Sequence, residues 1–99
     1  MNSSIHKLNK AFESRIRLGI MSLLTVNDEV DFNYLKSELE ITDGNLASHV
    51  KALEKLSYLH VEKRFIGRKP NTLYSITKKG EKAFKEHIDE LEKLLKLGK

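Results

Sequence analysis

Residues 42–59 read TDGNLASHVKALEKLSYL, and their spacing decides the fold. At ~100° per residue, Leu46, Val50 and Leu53 fall on one helical stripe, with Leu56 at its edge. The far side carries Ser48, Lys51 and Lys55, flanked by Asn45 and Ala52, and His49 lies between the two sides. Thr42 is placed to cap this helix, because its hydroxyl can accept from an amide that has no helical partner. Gly44, near the helix start, lets another backbone approach closely. A helix N-terminus also attracts phosphate.

Upstream, Asp31 is a second N-cap, with Val30 and Leu35 at the positions that pack across a helix start. A short helix is expected from about Phe32 to Glu38, with Phe32, Leu35 and Leu39 inward, and Val30 is placed to add a short edge strand. The turn before Thr42 is only Glu40–Ile41, so the two helices form a helix-turn-helix candidate. Further upstream, Ile5, Leu8, Phe12, Ile16, Ile20 and Leu23 step by three or four residues. They predict a first helix over 4–24 with a bend near Phe12–Ser14.

Downstream the period changes. Leu59, Val61 and Phe65 alternate with His60, Glu62 and Arg64, which is strand spacing. Leu73–Ile76 is a second short strand, and IGRKPN between them makes a basic hairpin tip. Thr77 then caps a last helix over 78–97. Its apolar residues Phe84, Ile88, Leu91 and Leu95 step by 4, 3 and 4, the seam of a helix pair.

The fold class is therefore mainly α with a small β-hairpin (α+β), in the order α-α-α-β-β-α. On a basic chain this is a winged helix-turn-helix with a long C-terminal dimerisation helix. Ninety-nine residues make a single domain over 1–99, with the helix-turn-helix at 31–57 and the wing hairpin at 58–77.

The formal charge is +4 and no cysteine is present. The charge suits nucleic acid or an anionic surface. The missing cysteines exclude disulfides and thiolate metal sites, and fit a reducing cytoplasm. No apolar run approaches the ~20 residues that span a bilayer, and the N-terminus does not read as a signal peptide. There is no Gly-rich phosphate loop, HExxH motif or nucleophile elbow. His6, His49, His60 and His87 show no ligand spacing. We expect no enzyme activity, no metal and no cofactor.

The far face of residues 42–59 fits a major groove. Asn bonds adenine, Ser donates or accepts, and an Ala methyl touches thymine, while Lys51 and Lys55 suit phosphates. An ordinary solvated helix face, with His49 a satisfied half-buried side chain, is the plainer alternative. Arg68 and Lys69 at the hairpin tip are expected on the minor groove or flanking phosphates, where arginine is favoured. Arg64 and Lys63 on the preceding strand are within reach of the backbone.

These residues also resemble a known family. FESRIRLGIMSLL resembles the first helix of MarR- and ArsR-type regulators. TDGNLASHVKALEKLSYLHVEK resembles their recognition helix and first wing strand, and GRKPNTLYSITKKGEKAF the segment from wing to last helix of compact MarR-type proteins. The resemblance implies a homodimeric transcriptional regulator, of repressor type, on double-stranded DNA carrying a pseudo-palindromic operator. It maps recognition onto Asn45, Ser48 and His49, and wing contacts onto Arg68 and Lys69. The cysteines of metal-sensing ArsR proteins are absent from 31–40, so thiolate metal sensing is not implied. Larger MarR proteins frame an effector pocket with extra terminal helices that this chain lacks, so a small-molecule effector stays open.

Dimer contacts are expected from Ile5, Leu8, Phe12, Phe84, Ile88, Leu91 and Leu95, across a two-fold axis. His87, on the last helix, is placed to make that assembly pH-sensitive. Two other readings of the same fold remain: a protein-interaction module, and a non-specific architectural nucleic-acid binder.

Overall fold

The helix breaks of the chain are set by capping side chains. In the computed structural model, which describes residues 7–97, Asn9 caps a single 3-10 turn, Lys10–Phe12. Ser14 then caps helix α1 (Arg15–Val26), its Oγ accepting from the amides of Ile16 and Arg17. Among the described residues the expected continuous helix over 4–24 is thus interrupted, and the bend near Phe12–Ser14 is a full break. A serine that captures two orphan amides starts a helix instead of continuing one. Ile5 lies outside the described residues.

Val30–Asp31 form strand β1, the expected edge strand, and Asp31 caps helix α2 (Phe32–Leu39) through a 2.7 Å bond from the Tyr34 amide. Helix α3 (Asp43–Lys55) begins at Thr42, whose Oγ1 accepts from the Asn45 amide at 3.2 Å. Both helices of this pair end in a left-handed residue that is not glycine: Glu40 at φ 51° and Ser57 at φ 63°. After α3 the amides of Ser57 and Tyr58 bond back to the carbonyls of Glu54 and Leu53, which closes the helix in a Schellman motif.

Strands β2 (Leu59–Ile66) and β3 (Lys69–Ile76) form the hairpin, and the sheet order is β1-β3-β2. The turn is shorter than the expected IGRKPN loop. Ile66 pairs with Lys69, so only Gly67 and Arg68 lie between the strands. Gly67 sits at φ 64° in the first central position, the signature of a type II′ turn. Pro70 is tolerated in β3 because it follows the closing pair, where the backbone amide points away from β2.

Helix α4 (Lys78–Leu97) is capped by Thr77, which ties three elements together. Its Oγ1 donates to the Ser57 carbonyl at 2.6 Å and accepts from the Gly80 amide at 2.9 Å, while its own amide donates to the Tyr58 carbonyl at 3.1 Å. The end of α3 and the start of α4 are therefore one joint.

The core is built from Ile20, Met21 and Leu24 of α1, Leu35 of α2, Leu46, Val50 and Leu53 of α3, and Val30, Leu59 and Tyr74 of the sheet. Phe12 closes it, meeting Phe84 and His87 edge to face and Tyr58 at a tilt, with centroids 5.3–5.6 Å apart. Phe12 is 2% exposed and Phe84 9%, so both are already covered by their own chain. This corrects their assignment to a dimer surface. The first turns of α4 pack on the body, and only the later part of the seam leaves it. The radius of gyration is 15.0 Å, above the ~13 Å of a compact domain of this length, because α4 and the wing project.

Candidate nucleic-acid interface

Helix α3 is held by its Leu46–Val50–Leu53 stripe, which is buried against α1 and the sheet. That contact fixes which side faces outward. Gly44, Asn45, Ser48, Lys51 and Lys55 are exposed together, with Ala52 half-buried at their edge. The hairpin rises beside the same helix. Lys51 of α3 and Lys63 and Thr72 of the hairpin line a notch of about 320 Å³. Because strand side chains alternate, Lys63 shares a face with Leu59 and Val61, the face turned to α3. Lys63 therefore stands nearer α3 than Arg64 does, and strand parity alone carries that information.

Arg64 points to the other face. It bonds Glu62 on its own strand, and its Nη2 lies 3.2 Å from the Glu29 carboxylate. The Arg64 expected on the DNA backbone is thus shared with two carboxylates and stands on the face away from α3. Glu62 is correspondingly lowered in pKa, first by its bond to Arg64.

His49 is also placed differently from the expected base reader. Its Nδ1 accepts from Arg17 Nε of α1 at 3.0 Å. Burial first, and the Arg17 charge second, hold its pKa below the ordinary histidine value. With Nδ1 accepting from Arg17, the neutral imidazole carries its proton on Nε2. Arg17 is brought to the flank of α3 by this bond, and no sequence signal links residues 32 positions apart.

At the helix start, Thr42 spends its hydroxyl acceptor on the Asn45 amide. The acid next to it, Asp43, sits in the first turn and pairs with Lys36 at 2.8 Å. Asp43 suits the positive helix end but competes there with a phosphate, and Lys36 offsets its charge. The N-terminal contact expected of Thr42 and Gly44 is thus weaker than the helix dipole alone suggests.

Carboxylates Glu29, Glu62, Asp43, Glu90 and Glu92 are each in an ion pair. Lys51, Lys55, Lys63, Arg68 and Lys69 are in none among the described residues. Lys51 and Lys55 share the exposed face with Asn45 and Ser48, and Lys63 lines the notch beside them together with Glu54.

His87 takes no part in this surface. It is 6% exposed, its Nδ1 accepts from the Asn9 amide at 3.0 Å, and Asn9 Nδ2 donates to Tyr58 at 2.9 Å. Burial depresses its pKa, with Glu13 partly opposing. The interface role expected of it is corrected: the imidazole is a core group of its own chain. Both His49 and His87 bind a proton more weakly folded than at the ordinary value of about 6.5. The unfolded chain therefore takes up protons first as the pH falls. Their contribution to stability is complete above about 6.5 and is lost as the pH drops through that value. The melting temperature is expected to fall between about pH 7.5 and 5.5, and His87→Gln to flatten the fall. A melting temperature indifferent to pH over that range contradicts the assignment.

On the seam, Ile88 is 39% and Leu95 70% exposed, Leu91 is half-buried between them, and Leu8 is half-buried beside Asn9. Among the described residues no three His, Asp or Glu side chains converge to hold a metal, and no helix is long and apolar enough to cross a membrane.

Comparison with known proteins agrees with this geometry. A family described as winged helix DNA-binding domain matches residues 16–95. An uncharacterized protein of Methanocaldococcus jannaschii is 41% identical over 87 residues, which are 88% of this chain and 95% of that one. The structure is similar to that of a transcriptional regulator homologue from Pyrococcus horikoshii, with a TM-score of 0.76 and 29% identity over 92% of this chain and 95% of that one. A PadR-like transcription factor from Bacteroides fragilis shares the fold, with a TM-score of 0.75 at 20% identity, covering 84% of this chain and 85% of that one.

Proposed function

The chain belongs to the winged helix DNA-binding domain family, and on that premise we propose that it is a homodimeric, sequence-specific regulator of transcription. In this reading α3 enters the major groove and the wing lies on the minor groove or its backbone. Asn45 and Ser48 read base edges. Lys51, Lys55, Lys63, Arg68 and Lys69 neutralise phosphates. Arg17, tethered to His49, adds a backbone contact on the flank of α3. Occupying a promoter in this way blocks it, so we assign a repressor-type output.

The observation that carries the reading is the juxtaposition of two elements. The exposed face of α3, with Asn45, Ser48, Lys51 and Lys55, stands beside a hairpin whose Lys63 lines the same notch.

Dimerisation is assigned to the free part of the α4 seam, Ile88, Leu91 and Leu95, with Leu8 beside it. A two-fold axis then sets the two reading helices about 34 Å apart, one turn of DNA, and the operator is a pseudo-palindrome.

Two substitutions separate base reading from phosphate contact. Arg68→Ala is expected to weaken binding to all duplexes alike and to lower the salt slope by about one. Asn45→Ala is expected to change preference at one base pair, at a cost of about 1–3 kcal/mol on the preferred site. Binding titrations against a set of single-base operator variants read both. Equal losses on every sequence for both variants would remove Asn45 from base reading.

A further inference from the structure

The tip of the wing carries apolar surface that its own chain leaves bare. Phe65 is 75% exposed and Ile66 67%. Pro70 stands directly across from Phe65 and is exposed as well. Single exposed apolar residues are ordinary. An adjoining group at the end of a projecting hairpin marks a contact surface.

Three features identify what covers it. Pairing register puts Lys63, Phe65, Pro70 and Thr72 on one face of the hairpin, and Lys63 and Thr72 of that face line the notch beside α3. Phe65 is therefore on the reading side, beyond Lys63. Cations neighbour it: Lys63 precedes it on the same face and Arg68 follows at the turn, neither in an ion pair among the described residues. The tip is closed by a two-residue turn at Gly67, so Phe65 is held on a ladder and not on a loose loop. A second copy of a chain of charge +4 would meet these cations with its own. A polyanion matches them.

We propose that Phe65, backed by Pro70, is an apolar wedge that enters the minor groove next to the major groove held by α3 and opens a base step, bending the duplex. The inference rests on the DNA-binding reading above and adds a deformation to it. Phe and Pro are among the side chains that unstack base steps from the minor groove and kink DNA toward the major groove. Lys63 and Arg68 would hold the phosphates on either side of the opened step. The wing would then favour flexible pyrimidine–purine steps at its own position without a base hydrogen bond.

The test uses the full chain and an operator duplex with 2-aminopurine at the steps flanking each half-site, and a second duplex labelled at both ends for energy transfer. Wild-type protein is expected to raise 2-aminopurine fluorescence and shorten the end-to-end distance. Phe65→Ala should lose both signals and bind about ten-fold more weakly, with the salt slope unchanged. Phe65→Leu should keep the bend, and Arg68→Ala should keep it while lowering the slope. Phe65 is exposed, so the melting temperature of each variant should match wild type. Tight wild-type binding without either signal, and with Phe65→Ala binding as wild type, overturns the wedge but leaves DNA binding standing. A Phe65→Ala variant that binds DNA normally yet sediments at lower mass overturns it in favour of a second copy. Wild-type protein that binds no duplex removes the DNA reading and the wedge together.

Discussion

Gly80→Ala is expected to destabilise the protein by about 3 kcal/mol or more. A Cβ built at Gly80 lies 1.9 Å from the Tyr58 carbonyl oxygen and 2.7 Å from its carbonyl carbon. These are backbone atoms, so no side-chain rotation relieves the clash. The same carbonyl accepts the Thr77 amide, and moving it would also open the joint between α3 and α4. For a domain this small, about 3 kcal/mol lowers the melting temperature by more than about 10 °C. Gly44→Ala is the internal control. Nothing lies within 4 Å of a Cβ there, and the change is expected to be neutral or to stabilise by up to about 1 kcal/mol. Thermal melts of both variants read the contrast. If Gly80→Ala melts within a few degrees of wild type (about 3 °C, under 1 kcal/mol), the joint is not built as described.

The second large effect concerns assembly. Ile88→Glu with Leu95→Glu places two carboxylates on the exposed part of the α4 seam. Both positions are open in the single chain, so the fold itself should survive. The dimer should not, because each substitution would bury a charge against its counterpart across the two-fold axis. Losing the second reading helix removes the gain from linked binding, and affinity for a two-half-site operator should fall by about 10²–10⁴. Affinity for a single half-site should hardly change. Sedimentation and operator titration of the same sample test this. A double variant that is still dimeric would move the interface away from α4.

Much of this architecture was legible in the sequence, because its punctuation is local chemistry. Asp31, Thr42 and Thr77 all cap the helices expected of them. The Leu46–Val50–Leu53 stripe is buried, and the last helix spans 78–97 as its seam predicted. The errors came from contacts between distant residues. Arg64 reads as a free wing cation until Glu29, 35 positions away, is folded against it. His49 reads as a groove contact until Arg17 reaches it. Phe12 and Phe84 share spacing with the exposed Ile88 and Leu95, and spacing cannot tell a turn packed on its own body from one that projects. The first helix was overextended because Ser14 fits a helix interior pattern and a cap equally well. The wing loop was overlong because Gly67 and Pro70 were both read as turn residues, whereas only Gly67 turns the chain.

The exposed cations of α3 and the wing matter only if they meet a polyanion. The measurement that tests this most directly is a fluorescence-anisotropy titration of the purified protein, across a salt series, against the DNA upstream of its own gene and against random duplex. With four or five phosphate contacts per protomer, affinity is expected to fall by about 10³–10⁵ between about 50 and 200 mM salt, and the upstream DNA to be preferred throughout. Absence of binding to either duplex at low salt would contradict the account.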